Sequence, residues 1–462
     1  MGNELPKGWS ITTLGSVLIR MTNGININQT DLCSVDALPI SRIETIANEK
    51  IDFSHVKYCI PSIEQEQKYL LKKGDILFSH INSDKHLGKT AIYMDDEPLI
   101  HGVNLLLLRS DENLYHNKCL NYLLKYYRYT GVFLNLAQRA VNQSSINQKK
   151  LSNLEIPLPP LEEQKQIAEK LDKLFDQIES IKKSTERIPE LLKNFRQQIL
   201  TYAVTGKLTE DYCNSLCYMD LQEIILQLKE QRINQLSIKS AKDKLEKIYS
   251  DDNSSLDFPI PKQWIPVNID KVCDSFTYGT SAKSENEGKY PVIRMGNIQN
   301  GKLDWSDLKY TSDESEYMKY KLNIGDILFN RTNSPELVGK TTIYDGNRAA
   351  CYAGYIIKID PYRKYVNPYY LNIVLNSQYA KRWCWENKTD GVSQSNINAQ
   401  KISKFTIPYP SLSEQEEIVN RVQSLFDILD DIERRYKVLC NKLDKLSQAV
   451  LCKAFKGELK IQ

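Results

Sequence analysis

The chain has 462 residues, of which 41% are apolar and 26% are charged, and its formal net charge at pH 7 is +3. This length allows two to four domains, and this composition is typical of a folded protein and excludes a disordered one. No run of 18 apolar residues is present, so the sequence predicts no membrane span, and the polar start MGNELPKGWS predicts no signal peptide. Ten cysteines without a Cys-x-x-Cys pair indicate thiols of a reducing compartment, so we expect a cytoplasmic protein.

The sequence is a tandem duplication with a constant offset of 251 residues. Leu71–Tyr93 and Leu322–Tyr344 are identical at 13 of 23 positions, and Ser145–Asp176 and Asn396–Asp427 are identical at 14 of 32 positions. The repeat ends, ILTYAVTGKLTE and VLCKAFKGELKI, align at the same offset. Two similar units in one chain predict a molecule with two similar binding faces and two similar partner faces.

Each repeat begins with a globular segment that opens on the motif Pro-x-x-Trp, at Trp9 and at Trp264. Short apolar runs separated by Gly and Asn turns follow, which predicts a mixed α/β domain. The segment GDILF, at Gly74–Phe78 and Gly325–Phe329, predicts a turn that enters a buried strand. The exits IPLPPL and IPYPSL are rich in proline, which favours an extended chain and marks a domain boundary.

Basic and aromatic residues are interleaved before each exit. Residues 113–154 include six basic residues and no acidic one, and the matching residues 364–405 include six basic and two acidic ones. Helices are predicted over 118–128 and 368–378. The pattern predicts a phosphate-facing surface, and the alternative is a solvated helix face over an aromatic core stripe.

A heptad pattern follows each exit and predicts two long helices that pair as an antiparallel coiled coil. Pro189 predicts a kink in the first helix. The predicted pairing residues are Ile167, Leu171, Leu174, Ile178, Ile181 and Leu192 in the first helix and Ile418, Val422, Leu425, Leu429, Ile432 and Leu443 in the second.

The predicted fold class is therefore α+β, a tandem repeat of two mixed α/β domains, each followed by a long helix, with pseudo-two-fold symmetry. The predicted segments are a first domain over 1–156, a long helix over 157–210, a partly helical linker over 211–257, a second domain over 258–407 and a C-terminal helix over 408–462. Residues 221–229 are the predicted helical part of the linker, which we expect to run back along the helix pair.

The sequence offers no catalytic or metal-binding set that both repeats share. All five histidines lie in the first repeat. The Gly-Lys-Thr turns that end at Thr90 and Thr341 lack the earlier glycine of a P-loop, because Ser83 and Ser334 occupy its place. A turn that joins two strands is the alternative interpretation of these segments. The segments 143–147 and 394–398, QSSIN and QSNIN, have side chains that either contact DNA or cap turns and helices.

Taken together, these motifs resemble the specificity subunit of Type I restriction–modification systems. The resemblance rests on Leu-Pro-x-x-Trp, Gly-Asp-Ile-Leu-Phe, Gly-Lys-Thr, Gln-x-x-Ile-Asn, and Ile-Pro-x-Pro followed by Glu-Gln. A long helix and a Gly-Lys-Leu or Gly-Glu-Leu end, at 206–208 and 457–459, complete the pattern, which covers nearly the whole chain.

The resemblance implies two target recognition domains that each recognise one half of a split DNA sequence, with the paired helices as a ruler for the spacer. It implies a non-catalytic chain that recruits two methyltransferase subunits and two restriction subunits. S-adenosylmethionine, ATP and Mg²⁺ would be cofactors of those partners, and this chain would bind none of them.

Candidate contact residues follow from the repeats and from this resemblance. We expect each domain to enter the major groove through loops near 82–89 and 330–340. The candidates for DNA contact are Arg42, Asn82, Ser83, Lys85, Lys89, Gln143, Arg294, Arg331, Asn333, Lys340 and Gln394. The candidates for contact with the methyltransferase are Glu163, Gln164, Glu414 and Gln415.

Two other classes of function remain open from the sequence, and an enzyme that itself binds or turns over S-adenosylmethionine or ATP ranks below both. One is the DNA-recognition subunit of a different split restriction or defence system, since the effectors would be separate chains. The other is a coiled-coil scaffold without a DNA role, against which the paired basic and aromatic stretches argue.

Overall fold

The computed structural model describes residues 5–139, 143–213, 220–251, 254–392 and 394–459. The chain forms two compact units, the first of residues 1–186 and 436–462 and the second of residues 187–435. Each unit therefore combines one globular domain with a segment of both long helices. The predicted domain boundaries follow the chain rather than this packing, and they stay a prediction. Among the described residues, no helix is both long and apolar enough to cross a membrane.

The first domain is built on a four-stranded antiparallel sheet. Its strands, in spatial order, are Leu18–Asn23, Leu106–Ser110, Ile76–Phe78 and Thr90–Ile92. The strand Ile76–Phe78 is buried at every residue, and Gly74 turns the chain into it with φ +92°. The GDILF prediction is thus confirmed in this domain.

Smaller elements surround this sheet. The first domain also contains a small three-stranded sheet and two further strand pairs, Ser10–Thr13 with Glu155–Leu158 and Leu38–Ile40 with Lys57–Cys59. Its α-helices are Ile63–Tyr69, Asn117–Tyr129, Val132–Leu136 and Gln148–Ser152. The helix Asn117–Tyr129 buries Leu120, Leu123 and Leu124 against the sheet because these residues share one helical face.

The second domain repeats the same plan. Its four-stranded sheet has the spatial order Cys273–Tyr278, Ile356–Pro361, Ile327–Asn330 and Thr341–Ile343. It also contains a small three-stranded sheet and the further pairings Ile265–Asn268 with Thr406–Tyr409, Tyr290–Ile293 with Lys309–Thr311 and Cys351–Tyr352, and Ile298–Gln299 with Lys302–Leu303. Its α-helices are Ile269–Val272, Glu314–Tyr320, Pro368–Asn376, Gln378–Asn387 and Ala399–Ile402.

The first long helix is broken near its middle, and the second is continuous. The first consists of Leu161–Thr185 and Ile188–Val204, and Pro189 lies in the first turn of the second piece. Proline cannot donate a backbone hydrogen bond and crowds the preceding turn, which explains the break and confirms the predicted kink. Cys440 stands at the matching position of Leu412–Phe455, which runs unbroken for 44 residues.

The two long helices are antiparallel within each unit. In the first unit Lys182 Nζ lies 2.8 Å from Asp444 Oδ1, and Leu171 shares a core with Phe455. Residue numbers therefore fall along one helix as they rise along the other.

The second unit shows the same arrangement. Arg196 Nη2 lies 2.6 Å from Asp430 Oδ1, and Val204 shares a core with Val422. The predicted architecture of two repeated domains with long, antiparallel paired helices is confirmed.

Ten of the twelve predicted pairing residues are buried or half-buried, namely Ile167, Leu171, Leu174, Ile178, Leu192, Ile418, Val422, Leu425, Leu429 and Leu443. Ile181 and Ile432, which occupy matching positions, are 42% and 41% exposed, so their predicted place inside the pairing seam is wrong. Pairing residues near the ends of the seam, such as Leu171 and Val422, belong to the cores of the domains, whereas these two isoleucines belong to neither core.

Each long helix ends in the core of the other repeat's domain. Leu200 and Val204, from the first repeat, pack into the second domain, and Leu451 and Phe455, from the second repeat, pack into the first domain.

Left-handed glycines end both helices. Gly206 and Gly457 have φ values of +76° and +72°. A Cβ atom added to them would lie 2.3 Å from a proline ring, that of Pro261 and that of Pro6. Each glycine thus lies against the Pro-x-x-Trp motif with which the partnered domain begins.

The linker forms two helices, Leu221–Gln235 and Lys239–Ser250. The predicted helix is confirmed, but the predicted course back along the helix pair is wrong. Leu221 and Leu228 join the core of the second domain, and the buried Arg232 donates a hydrogen bond of 2.8 Å to the carbonyl oxygen of Asp270. The long helix already ends in this domain, so the linker has no distance to cover.

His101 is buried in the first domain, where its Nε2 lies 3.0 Å from the carbonyl oxygen of Leu105 and its Nδ1 has no partner. Burial lowers the pKa of His101 from 6.5 to about 4, because the charged ring cannot be solvated there.

We expect the first domain to lose stability as the pH falls from 6.5 towards 4. The unfolded chain binds a proton on His101 throughout this window, whereas the folded chain does not. His101→Gln should therefore remove about 2 kcal/mol of the change in unfolding free energy between about pH 7 and pH 5. Hydrogen exchange of the first domain in the full chain measures this, and His55→Gln, at an exposed position, is the control. An unchanged pH dependence in His101→Gln would contradict the assignment.

Candidate nucleic-acid interface

Each domain contains a small three-stranded sheet that joins distant segments of its sequence. In the first domain, Ser144–Ser145 lies between Ile81–Asn82 and Gln138–Arg139, with Asn82 opposite Ser144. The exposed Gln143 therefore lies beside Asn82 and the exposed Ser83. Three of the residues predicted to contact DNA are brought together here.

The second domain forms the same sheet at the matching positions. Ser395–Asn396 lies between Thr332–Asn333 and Thr389–Asp390, with Asn333 opposite Ser395. The exposed Gln394 thus lies beside Asn333 as Gln143 lies beside Asn82.

The residues of QSSIN and QSNIN divide between the two interpretations, contact with DNA and capping of helices. The side chains of Asn147 and Asn398 cap short helices by accepting hydrogen bonds of 2.9 Å and 2.8 Å from backbone amides, and the isoleucines before them are buried. Ser144 and Ser395, which are the first residues of the central strands and which we call the central serines, are buried too. Gln143 and Gln394 are exposed, and the exposed asparagines already use their side-chain oxygens as caps, so the glutamines are the better candidates for contact with a ligand.

Carboxylates hold these serines from opposite sides in the two domains. The Ser144 hydroxyl donates to Asp84, which lies in the loop after the strand Ile81–Asn82. The Ser395 hydroxyl donates to Asp390, which lies on the strand Thr389–Asp390 at the other edge of the sheet. Arg139 occupies the place of Asp390 in the first domain. Hydrogen bonds from Lys388 and Ser395 lower the pKa of Asp390. The distribution of charge on the two sheets is thus different, although their backbones match.

The lysines of the two Gly-Lys-Thr turns are anchored inside their domains. The Lys89 ammonium donates to the carbonyl oxygen of Ala47, and Lys340 Nζ lies 3.2 Å from Gln299 Oε1. Burial and the nearby Arg128 guanidinium lower the pKa of Lys89. Both lysines therefore contact the same turn of their domain, and the strand-joining turn that was the alternative interpretation fits the structure.

The loops that lead from the three-stranded sheets to Lys89 and Lys340 offer fewer unpaired side-chain groups than the sequence predicts. Lys85 is exposed, but its carbonyl oxygen accepts a hydrogen bond from Arg128. Asn82 and Asn333 are half-buried, and their side-chain oxygens each accept the amide of the next residue at 2.8 Å. Asparagine in this role shapes the loop, so the exposed loop contacts come from Ser83 and Lys85.

Arg42 and Arg294 are each paired with a carboxylate of a neighbouring turn. Arg42 Nε lies 3.5 Å from Glu44, and Arg294 Nη2 lies 3.1 Å from Asp307. Their charges are therefore partly neutralised where they lie.

The prediction that the helix Asn117–Tyr129 presents a phosphate-facing surface is wrong. Lys118 and the Tyr122 hydroxyl both bind the carboxylate of Asp172, at 2.7 Å, and the Tyr122 ring stacks on Phe175. The helix uses its basic and aromatic residues to pack on the first long helix. The aromatic core stripe was the correct alternative.

Glu49 neutralises the rest of that helix's positive charge. Its carboxylate is bound by Arg128 and lies 3.9 Å from Lys125 Nζ. The exposed basic residues of this stretch are Arg139, Lys149 and Lys150, on or next to the three-stranded sheet. Positive charge is therefore available at the sheet rather than on the helix.

Arg331 follows the buried strand of the second domain and leads into its three-stranded sheet. Its guanidinium carbon lies 4.6 Å from the centre of the Tyr278 ring. The matching residue of the first domain is His80, which is buried. Sequence reasoning included Arg331 but missed Tyr278 and His80, although the offset of 251 pairs His80 with Arg331.

Three of the four residues predicted to contact the methyltransferase instead form buried hydrogen bonds within their own unit. We call such a buried contact an internal clamp. Gln164 accepts the amide of His116 at 2.8 Å and donates to Pro159, and Gln415 accepts the amide of Asn367 at 2.8 Å and donates to Pro410. Both amides are fully buried, so the partner role predicted for them is wrong.

The preceding glutamates differ between the repeats. Glu414 is buried and accepts hydrogen bonds of 2.9 Å from Thr209 and from the indole of Trp264, so its predicted partner role is wrong for the same reason. Glu163 is half-buried and keeps accessible surface.

The paired helices carry exposed apolar residues beside their ion pairs. In the first unit, Ile181 and Leu446 are 42% and 48% exposed, and they flank the pair formed by Lys182 and Asp444.

The second unit has the matching residues. Phe195 and Ile432 are 53% and 41% exposed beside Arg196 and Asp430. Each of these two pairs takes one apolar residue from each helix, at positions that the duplication relates.

Residues 6–190 and 261–439 match the family model described as Type I restriction modification DNA specificity domain. The chain is 45% identical over 204 residues to a protein of Methanocaldococcus jannaschii named as the MjaX type I restriction enzyme specificity subunit. That match covers 44% of this chain and 47%, about half, of the relative. The chain is 28% identical over 466 residues to the EcoKI specificity subunit of Escherichia coli K12, which covers 99% of this chain and 91% of that protein.

Two solved structures share the fold. One chain, from a study of complex assembly and conformational transition of the type I R-M system, has a TM-score of 0.66 and 18% identity, with 99% of this chain and 100% of that chain covered. The other, the HsdS subunit from Thermoanaerobacter tengcongensis, has a TM-score of 0.54 and 17% identity, with 99% of each chain covered.

We expect Gln415→Leu to lower the stability of the second unit by about 1–3 kcal/mol, because it leaves the buried amide of Asn367 without an acceptor. Thermal unfolding of the full chain measures the loss. Gln423→Leu, at an exposed position of the same helix, is the matched control. Equal unfolding temperatures for the two variants would refute the clamp.

Proposed function

The chain belongs to the Type I restriction–modification DNA specificity family, and we propose that it recognises a split DNA target through its two domains. Each domain would recognise one half of the target through its three-stranded sheet and the adjoining loops. The match of the family model to both repeats supports two equivalent recognition domains.

The observation that carries this proposal is the recurrence of one surface at a fixed offset. Gln143 and Gln394 are exposed at matching places, each beside a loop that begins with asparagine and serine. Amide side chains donate and accept hydrogen bonds in the pattern that base edges present. Ser83, Lys85, Lys149 and Lys150 would add phosphate contacts in the first domain.

The two half-sites should differ in sequence. The carboxylate beside the central serine lies in a loop in the first domain and on the outer strand in the second. Because the same backbone carries different charges, the two surfaces favour different bases, and the whole target is asymmetric.

The exposed apolar residues on the paired helices support two partner sites. Apolar side chains that remain exposed on an otherwise polar helix pair are typical of protein interfaces. We assign these sites to two methyltransferase subunits, which would join two restriction subunits. S-adenosylmethionine, ATP and Mg²⁺ would serve those partners, and this chain would be non-catalytic.

The direct test is co-expression of the chain with the methyltransferase gene beside its own, followed by single-molecule sequencing of the host genome. We expect N6-methyladenine on both strands of an asymmetric motif with a fixed unspecified spacer. Methylation that depended on the chain but followed a continuous, unsplit motif would refute recognition by two separate domains. A stable complex without new methylation would favour a different effector system.

The partner sites can be tested separately in the two units. Ile181→Ser with Leu446→Ser, or Phe195→Ser with Ile432→Ser, should each remove one methyltransferase subunit from the complex, and all four changes should remove both. Native mass spectrometry of the co-expressed complex gives the stoichiometry. The control is Ile60→Ser with Ile63→Ser, exposed apolar residues away from the long helices. Full occupancy in the fourfold variant would disprove this assignment.

A further inference from the structure

The residues that lead from the buried central strand into the three-stranded sheet differ between the domains. The first domain has Ser79 and His80 there, and the second has Asn330 and Arg331. His80 is buried, whereas Arg331 is half-buried with accessible terminal nitrogens. The matched backbones therefore present different chemistry at this position.

The backbone of Arg331 is held from both sides. Its amide donates to the carbonyl oxygen of Tyr355 at 3.0 Å, and its own carbonyl oxygen accepts the amide of Ile397 at 2.9 Å. The side chain therefore starts from a fixed point.

The guanidinium of Arg331 is also positioned by an aromatic ring. It lies over Tyr278, whose hydroxyl accepts the amide of Ala399 at 2.9 Å and is thereby fixed. A guanidinium held over a fixed ring has less conformational freedom to lose, which reduces the entropy lost on binding.

Arg331 has no carboxylate within ion-pair distance in the part of the chain that the structure describes, unlike Arg294 with Asp307 and Arg382 with Asp257. Its Nε is buried without a partner. Neighbouring Asn330 is fully buried, and neither atom of its side-chain amide has a partner. These buried unsatisfied groups are costly, and no carboxylate among the described residues offsets the charge of the Arg331 guanidinium.

We propose that Arg331 recognises a guanine in the half-site of the second domain, donating two hydrogen bonds to its O6 and N7 in the major groove. This inference rests on the proposed function. The fork of a guanidinium matches these two acceptors, and no other base edge offers the same pair. The first domain cannot make this contact because buried His80 stands in its place, so only one half-site contains this guanine.

The experiment uses the full chain co-expressed with its methyltransferase, and it compares the wild type with Arg331→Ala and Arg331→Lys. In the wild type, one half-site should contain an invariant guanine. Both variants should methylate sites with any base at that position and leave the other half-site unchanged. Lysine keeps the charge but lacks the fork, so relaxed specificity in both variants separates a base contact from a phosphate contact.

Binding of the purified complexes to duplexes completes the test. Replacing that guanine should weaken wild-type binding by on the order of ten- to a hundredfold and should not change the binding of the variants. Arg382→Ala, which removes an exposed, ion-paired arginine of the same domain, should behave as the wild type.

Three outcomes would overturn the inference. The motif could be unchanged in Arg331→Ala. Alternatively, affinity could fall equally for all sequences and be restored in Arg331→Lys, which would make Arg331 a phosphate contact. If the alanine variant failed to fold, the lysine variant would decide: an intact motif there would also overturn the inference. Absence of a split motif in the wild type would instead refute the proposed function, and the assignment of Arg331 would fall with it.

Discussion

The structure depends on the insertion of each long helix into the core of the other repeat's domain. Leu200 and Val204 complete the second domain, and Leu451 and Phe455 complete the first. Neither core is therefore complete with residues of its own repeat alone. The left-handed glycines Gly206 and Gly457 end the helices against a proline ring, where a larger residue would be both strained and in steric conflict. The exchange explains why the repeat ends and the Pro-x-x-Trp motifs both occur twice, since each packs on the other.

Buried polar contacts fix where each helix leaves its domain. Gln164 and Gln415 bind a backbone amide of the domain and a carbonyl oxygen of the exit segment. Such a contact is geometrically demanding, because each buried amide would be costly without its partners. The same residues looked like surface contacts in the sequence, because a repeated polar pair at a helix start is equally consistent with either role. Only burial distinguishes a clamp from an interface, and burial is a tertiary property.

Much of the fold could be predicted, because its strands and helices depend on local sequence patterns that occur in both repeats at the offset of 251. The GDILF strands, the break at Pro189 and the long helices depend on glycine, proline and apolar periodicity, which act within a few residues. The exposed positions Ile181 and Ile432 fit the same heptads but depend on what covers the helix pair, which periodicity does not encode. The predicted phosphate-facing surface of the helix Asn117–Tyr129 is wrong for a related reason. Its partners, Asp172 and Glu49, lie about 50 and 80 residues away in sequence, so a local pattern does not reveal them.

In the candidate interface, too, the residues that form the fold are common to both domains and those around them differ. The three-stranded sheets recur in the same register because Ile146 and Ile397 are buried and the asparagines that follow them cap helices, so these residues are needed for folding. The positions around them differ between the domains: the buried serine binds Asp84 in the first and Asp390 in the second, and buried His80 stands where the second domain has Arg331. A duplicated scaffold whose folding contacts lie apart from its exposed rim allows each rim to change without loss of the fold. Under the proposed function, that separation would let two domains of one architecture recognise two different sequences.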